Sequence, residues 1–206
     1  RVVGGINEAS TQITVDVYER FVRGAVLPPT AKTAEMVKLT ENSSRDVQIA
    51  FANELSMICE TESINTWEVI ALANRHPRVN ILQPGPGVGG HCIAVDPWFI
   101  VDRSPDCSHL IRTAREVNDA KPEWVIERVK KCADKFKSPV IACLGLAFKA
   151  DVDDIRESPA FDIVKKLKEE EIDYDLSWKL VTKANPFSPV SGICNLCIRL
   201  LYFFTH

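Results

Sequence analysis

The sequence lacks the features that mark nucleic-acid-binding and membrane-spanning proteins. Its 25 lysines and arginines are outnumbered by 28 aspartates and glutamates, so a net charge of −3 offers no basic surface to a phosphate backbone. We expect no signal peptide, and the sequence contains no apolar run of the roughly 20 residues that a membrane-spanning helix needs. We therefore expect no nucleic-acid partner, no membrane partner and a cytoplasmic location.

The sequence also lacks a regular cysteine pattern. Seven cysteines are an odd number at irregular spacing, which favours reduced thiols over a disulfide framework. Cys194 and Cys197 have the C-x-x-C spacing of a metal or redox pair, but no second pair follows them. Because a structural zinc site needs four ligands, we predict no metal site.

The most informative segment is a glycine-rich loop that carries one cysteine. Residues 84–97 read PGPGVGGHCIAVDP, which places Asp96 four residues after Cys92. Glycine allows positive φ and close backbone approach, as ligand-binding loops require. The functional hypothesis is a thiolate nucleophile at Cys92, with Asp96 orienting or deprotonating a water. The alternatives are a turn before a buried cysteine, and a cysteine–histidine protease site that lacks any protease signature.

A long helical pattern over residues 31–62 precedes this loop. Lys38 and Asn42 are four positions apart on one helix face, where both can donate hydrogen bonds to the same developing oxyanion. The alternative is that both are solvated surface residues. The apolar positions predicted to be buried are Val37, Val47, Phe51, Leu55 and Ile58.

Further elements follow along the chain. Residues 67–74 predict a short helix, and residues 109–136 predict another helical stretch with a restart or kink at Pro122. The apolar run 140–144 is typical of a buried parallel strand, and it leads through a loop to a helix capped by Ser158. A strand, loop and helix in this order indicate the start of an α/β domain, whose strand ends bind nucleotides.

Four segments together resemble the UDP-sugar 6-dehydrogenases, which oxidise the C6 alcohol of a nucleotide sugar to a carboxylate through a cysteine-bound intermediate. The resemblance covers most of residues 1–170, and its central segment is most similar to the branch acting on UDP-N-acetyl-D-mannosamine. The segments are TAEMVKLTENSSRDVQIAFANE at 33–54, NRHPRVNILQPGPGVGGHCIAVDPWFIV at 74–101, LIRTAREVN at 110–118 and GLAFKADVDDIRESPA at 145–160.

The resemblance implies an NAD-dependent oxidation in two steps. The sugar would be held on Cys92 as a thioester, Lys38 and Asn42 would stabilise the oxyanions, and Asp96 would assist the hydrolytic water. The product would be UDP-N-acetyl-D-mannosaminuronate. The implied partners are the UDP-sugar and a second copy of the chain in a homodimer.

Binding roles are implied as well. By resemblance, Phe148 and Lys149 contact the UDP-sugar and Arg156 contacts the cofactor. Without the resemblance, the charged residues of this segment would be interpreted as a solvated turn. The other implied substrate contacts are Arg75, Arg78, Gly87, Gly89 and Gly90. Of these, Arg75 and Arg78 would contact either the diphosphate or the partner subunit.

The implied fold is an α/β architecture, of which this chain is mainly the α-helical central dimerisation domain flanked by pieces of two Rossmann-like domains. Residues 1–29 would end the NAD-binding domain, 30–137 form the helical domain with the cysteine loop, and 138–175 begin the UDP-binding domain. Residues 176–206 depart from the family, and we expect them to be poorly ordered or to cover exposed core.

The amino-terminal part resembles only the end of a cofactor domain. Residues 1–5 would be its last strand and residues 7–23 its last helix, and the family's G-x-G-x-x-G fingerprint is not found. We therefore expect a fragment lacking most of the NAD domain and most of the carboxyl-terminal domain. The alternatives are a non-catalytic dimerisation module from a truncated gene, and an enzyme acting on UDP-N-acetylglucosamine or UDP-glucose.

Overall fold

The computed structural model describes residues 1–136, 140–143, 145–148, 154–169, 177–178 and 201–204. These residues form helices joined to a small sheet. None of the helices among them is long and apolar enough to cross a bilayer. The elements in chain order are α1 (Glu8–Glu19), α2 (Ala31–Thr61), α3 (Thr66–Ala73), α4 (Asp96–Arg103), α5 (His109–Ala133), β1 (Val140–Cys143), α6 (Pro159–Glu169), β2 (Ser177–Trp178) and β3 (Leu201–Phe204).

Side-chain caps explain where the first three helices begin. Asn7 forms a capping box with Ser10 at α1, and Thr30 accepts a hydrogen bond from the Thr33 amide at α2. Asn65 accepts from two amides in the first turn of α3. The helices predicted over residues 31–62 and 67–74 are thereby confirmed to within one residue at each end.

Of the restart or kink predicted at Pro122, the restart is wrong, because α5 runs through this residue as one helix, and the kink stays a prediction. Proline has no N–H to donate to the carbonyl of Asn118, one turn earlier, so its position loosens the backbone ladder there without ending it. α5 contacts α2, α4 and α6, and it bonds to α2 on both sides of the proline, through Asn118 and Arg128. Tertiary packing here overrides a local signal.

The long helix α2 buries a different face from the one predicted. Phe51 and Ile58 are 53% and 54% exposed, contrary to expectation, and Val37, Val47 and Leu55 are half-buried. The buried face is polar or small, because it packs against a polar face of α5. Its members are Asn42, Ser43, Asp46, Ala50, Ala52, Asn53, Ser56 and Cys59.

The apolar core lies between α5, β1 and α6. Apolar side chains from the second half of α5 and from α6 enclose Ile141 of β1. The hydroxyl of Ser158, just before α6, donates to the Leu146 carbonyl at 2.6 Å and ties the loop to the start of this helix. The buried residues of this core are Val125, Ile126, Val129, Ile141, Ala160, Ile163, Val164 and Leu167.

The predicted strand is confirmed as β1, but its sheet is mixed. β1 pairs in parallel with β2 and antiparallel with β3, so the strand order is β2-β1-β3. Parts of the carboxyl-terminal segment 176–206 therefore flank β1, and the other residues of that segment lie outside the described residues.

The predicted strand at residues 1–5 is reduced to one isolated parallel bridge between Val2 and Leu27. Backbone hydrogen bonds from Val3 N to Leu27 O and from Leu27 N to Arg1 O flank this bridge. The following helix, α1, is shorter than the predicted 7–23 span.

Candidate active site

The glycine loop lies between α3 and α4 and is shaped by positive φ angles. Gly87 has φ of 142° and Gly90 has φ of 84°, conformations that residues with a Cβ rarely adopt. The amide of Gly90 donates to the carbonyl of Glu157 at 3.2 Å. The loop therefore contacts the segment that leads into α6.

The glycines also permit close packing against protein atoms. A Cβ at Gly89 would lie 2.3 Å from the Glu157 carbonyl oxygen, and one at Gly90 would lie 3.0 Å from the Phe148 ring. A Cβ at Gly87 would lie 3.2 Å from the Pro122 ring. Packing thus accounts for these glycines, and their contacts with substrate stay a prediction.

Gly85, Gly87 and Gly90 of this loop have the spacing G-x-G-x-x-G. The expectation that this spacing is absent from the chain is therefore wrong. Residues 79–84, which precede it and are all described, form no strand, and the loop packs against α5 and α6. A dinucleotide fingerprint joins a strand directly to a helix. The loop therefore does not have the structural setting of a dinucleotide cradle.

Cys92 and Asp96 stand at the two ends of a single backbone turn. The carbonyl of Cys92 accepts hydrogen bonds from the amides of Val95 and Asp96, at 3.1 and 2.8 Å. The Cys92 thiol is free and its residue is exposed, which excludes the alternative of a buried cysteine. Asp96 is the first residue of α4 and Pro97 is the second. Proline is tolerated there, because an N–H in the first turn of a helix has no carbonyl partner within the helix.

The predicted pair on α2 meets this turn. Lys38 Nζ donates to Asn42 Oδ1 at 3.3 Å, and Asn42 Nδ2 donates to Asp96 Oδ2 at 2.5 Å. Lys38 is largely exposed, whereas Asn42 is buried. Side-chain hydrogen bonds thus link Lys38 and Asn42 of α2 to Asp96 at the start of α4. Cys92 is linked to Asp96 by the backbone hydrogen bonds of its turn.

Of the predicted substrate contacts, Phe148 lies beside the cysteine loop, where its ring faces Gly90. Its amide donates to the Asp154 carbonyl at 3.4 Å. Lys149 lies outside the described residues. Arg75 and Arg78 are exposed in the segment between α3 and the loop, and their predicted contacts stay untested.

Arg156, the predicted cofactor contact, forms a two-pronged pair with Asp154. Its Nε and one terminal nitrogen donate to the two carboxylate oxygens at 2.9 and 2.8 Å. These hydrogen bonds from Arg156 hold the pKa of Asp154 down to about 2, and the same pair raises the pKa of Arg156. The Arg156 side chain as a whole is still 74% exposed.

Sequence reasoning missed a buried polar network between α2 and α5. Arg115 pairs with Asp46 at 2.6 Å and with Asp119, and Asn118 donates to Asp46. Burial raises the pKa of Asp46, whereas Arg115 opposes this rise, and the permanent charge of Arg115 favours the carboxylate. Polar residues at three- and four-residue spacing on both helices were the available signal.

The network continues to the glycine loop through Asn53. Its Nδ2 donates to Asn118 Oδ1 at 2.9 Å, and its Oδ1 accepts from the amide of Gly85 at 2.8 Å. Lys121 donates to the Asn53 carbonyl and to Ser56 Oγ, at 3.2 and 2.6 Å. Among the described residues, no group of three or more histidine, cysteine, aspartate or glutamate side chains could hold a metal ion.

Two protein-family models match the chain. Residues 32–120 match the central domain of the UDP-glucose/GDP-mannose dehydrogenase family, and residues 142–184 match the UDP-binding domain of the same family. The second match extends beyond residue 175, the predicted end of the UDP-binding piece.

Curated relatives and a solved structure agree with these matches. The chain is 63% identical to an NDP-N-acetyl-D-galactosaminuronic acid dehydrogenase of Ralstonia solanacearum, over 84% of this chain and 41% of the relative. It is 59% identical to a UDP-N-acetyl-D-mannosamine dehydrogenase of Campylobacter jejuni, over 82% of this chain and 42% of the relative. The UDP-N-acetyl-mannosamine dehydrogenase Cap5O of Staphylococcus aureus superposes with a TM-score of 0.77 at 45% identity, covering 95% of this chain and 45% of that structure. The chain thus spans about two fifths of the length of its curated relatives.

Proposed function

The chain belongs to the UDP-glucose/GDP-mannose dehydrogenase family, and on that basis we propose that it supplies the nucleophile and oxyanion-binding residues for oxidation of a UDP-N-acetylhexosamine at C6. The observation that carries this proposal is the hydrogen-bonded series Lys38–Asn42–Asp96, which ends at the turn bearing the exposed thiol of Cys92. In support of the proposal, Lys38, Asn42 and Asp96 form one hydrogen-bonded series, and the backbone turn that begins at Cys92 ends at Asp96.

Each residue has a chemical role that fits its position. The Cys92 thiolate adds to a C6 aldehyde, and the oxygen that becomes negative accepts hydrogen bonds from Lys38 and Asn42. Oxidation of the resulting thiohemiacetal leaves a thioester on Cys92. Asp96 orients water for attack on this thioester, and the carboxylate product leaves as the Cys92–carbon bond breaks.

NAD, when bound, accepts the two hydrides that leave C6, so that the alcohol and one water give a carboxylate, two NADH and three protons. The described residues fit only part of an NAD site. The exposed Arg156 side chain carries a guanidinium that suits a polar or anionic cofactor group, but the glycine loop is filled by protein contacts. We propose that the pyrophosphate is bound by residues outside this chain's described part.

The names of two relatives, which both concern N-acetylated sugars, support the substrate class proposed here. We propose a UDP-N-acetylhexosamine, with UDP-N-acetyl-D-mannosamine as the first candidate and UDP-N-acetylglucosamine and UDP-glucose as alternatives. The test is a chimaera in which residues 1–169 replace the matching segment of the Campylobacter jejuni enzyme. Formation of two NADH per uronate with UDP-N-acetyl-D-mannosamine supports the proposal, and turnover of UDP-glucose alone contradicts the substrate assignment.

We also propose that α2 pairs with a second copy of the chain. Phe51 and Ile58 lie seven residues apart, on one face of the helix, and both are more than half exposed. Apolar side chains aligned in this way favour an interface. The same exposed apolar face favours a second candidate function, a non-catalytic dimerisation module. Such a module would pair in the same way, but the chimaera that contains it would show no turnover.

A further inference from the structure

We propose that Asn53 is a positioning residue for the cysteine loop, held in one orientation by Asn118 and Asp46. This inference rests on the proposed function of Cys92 as the nucleophile. Asn53 is completely buried, and its side chain reaches out of α2 to the backbone of the loop seven residues before Cys92. Its Oδ1 accepts the Gly85 amide at 2.8 Å.

The hydrogen bonds between Asp46 and Gly85 can run in only one direction. A carboxylate accepts and does not donate, so Asn118 must turn Nδ2 towards Asp46 Oδ1, at 2.8 Å. The Oδ1 of Asn118 then faces Asn53, which must present Nδ2 to it. Asn53 is left with Oδ1 towards the loop, where the Gly85 amide can only donate.

Each member of this series is buried, so an incorrect orientation would leave polar groups unpaired away from water. Asp46, Asn53 and Asn118 are each at most 1% exposed. A buried donor or acceptor without a partner is unfavourable, so the fully paired arrangement is selected. Arg115, also buried, fixes the Asp46 carboxylate at the far end through an ion pair at 2.6 Å.

The same helix pair contacts the loop at a second point. Pro122 provides no N–H for the Asn118 carbonyl, and a Cβ at Gly87 would lie 3.3 Å from that oxygen. The loop therefore rests on the turn of α5 that contains Asn118, while Asn53 holds it from α2. These contacts fix the entry of the segment that delivers Cys92 to the site.

The experiment compares Asn53→Leu with Ser56→Ala in the 206-residue chain. Ser56 lies one turn further along α2 and bonds Lys121 in the same network, so its variant controls for general loss of polar contacts. We expect hydrogen exchange of the Gly85 amide to be about tenfold faster in Asn53→Leu than in Ser56→Ala, because Asn53→Leu removes the hydrogen bond to this amide. We also expect Asn53→Leu to change the rate at which iodoacetamide alkylates Cys92. Equal exchange in the two variants would overturn the proposal.

A second measurement needs no substitution. In the unmodified chain, NMR should detect a scalar coupling across the hydrogen bond from the Gly85 amide to the Asn53 carboxamide, and its absence would also overturn the proposal. Both readouts are independent of turnover. If Asn53→Leu frees Gly85 but leaves kcat and KM of the chimaera unchanged, Asn53 does not position the reacting group and the proposal fails. Failure of the proposed function is read separately, from the turnover of Cys92→Ser.

Discussion

The carboxamide of Asn42 donates to the carboxylate of Asp96 at 2.5 Å, across 54 residues of sequence. This contact joins the middle of α2 to the first turn of α4 and sets the carboxylate one turn from Cys92. An Asn42 nitrogen carries two hydrogens, of which this bond uses one. The pair can therefore orient Asp96 and still donate to a negatively charged oxygen.

The first prediction concerns Cys92. In the chimaera, Cys92→Ser should lower turnover by several orders of magnitude while UDP-sugar binding persists, because an alkoxide is a much poorer leaving group and serine a weaker nucleophile than a thiolate. Steady-state NADH formation and calorimetric binding measure the two effects. Cys107→Ser is the matched control, since Cys107 is also exposed but lies outside the loop, between α4 and α5. Near-normal uronate formation by Cys92→Ser would refute the nucleophile assignment.

Asp96→Asn should separate oxidation from hydrolysis. An amide cannot take a proton from water, so the thioester should form and then persist on the enzyme. Intact-protein mass spectrometry of the chimaera should find the oxidised sugar attached, and adding Cys92→Ser should remove the adduct. If Asp96→Asn accumulates no adduct and loses no turnover, Asp96 does not act in hydrolysis.

Charge on the apolar face of α2 should prevent self-association. We expect the 206-residue chain to be a dimer or larger species at micromolar concentration, and Phe51→Asp or Ile58→Asp to shift it towards monomer, because the charge would be buried in the interface. Light scattering measures the mass. Ile6→Asp is the control, since Ile6 is 91% exposed but precedes α1. A monomeric unmodified chain would contradict the proposed pairing.

Gly89→Ala should destabilise the fold by about 1–3 kcal/mol, the usual cost of forcing an extra carbon into a packed site. Its Cβ would lie 2.3 Å from the Glu157 carbonyl, which is backbone and cannot move aside cheaply. Urea denaturation measures the free energy of unfolding. Gly24→Ala, where a Cβ meets no atom within 4 Å, should have little effect. Equal stability of the two variants would exclude the tight contact between the loop and α6.

The Asp154–Arg156 pair predicts a pH dependence of known sign. Because the folded pKa of Asp154 is held at about 2, below the ordinary aspartate value of 3.8, the pair's contribution is present above about pH 4 and is lost as pH falls towards 2. NMR titration of the Asp154 carboxyl carbon should give this low midpoint. Arg156→Ala should return it towards 3.8. A midpoint unchanged by Arg156→Ala would show that the arginine is not the cause.

Local sequence signals were sufficient for most helices and for one strand. Helical spacing of apolar residues located α2, and the apolar run at β1 has the composition of a buried strand. The positions of Lys38 and Asn42, one helical turn apart, likewise follow from helix geometry alone. These features depend only on neighbours within a few residues, so the amino-acid sequence by itself determined them.

Only the tertiary structure decided which face of α2 is buried and what the glycines are for. Hydrophobic pattern favoured Phe51 and Ile58, but the partner surface on α5 is polar, so Asp46 and Asn53 turn inward instead. Whether a polar side chain can be buried depends on a partner about 65 residues away, which no local pattern encodes. The same holds for the orientation of Asn53 towards the cysteine loop, which is set by a carboxylate two hydrogen bonds away.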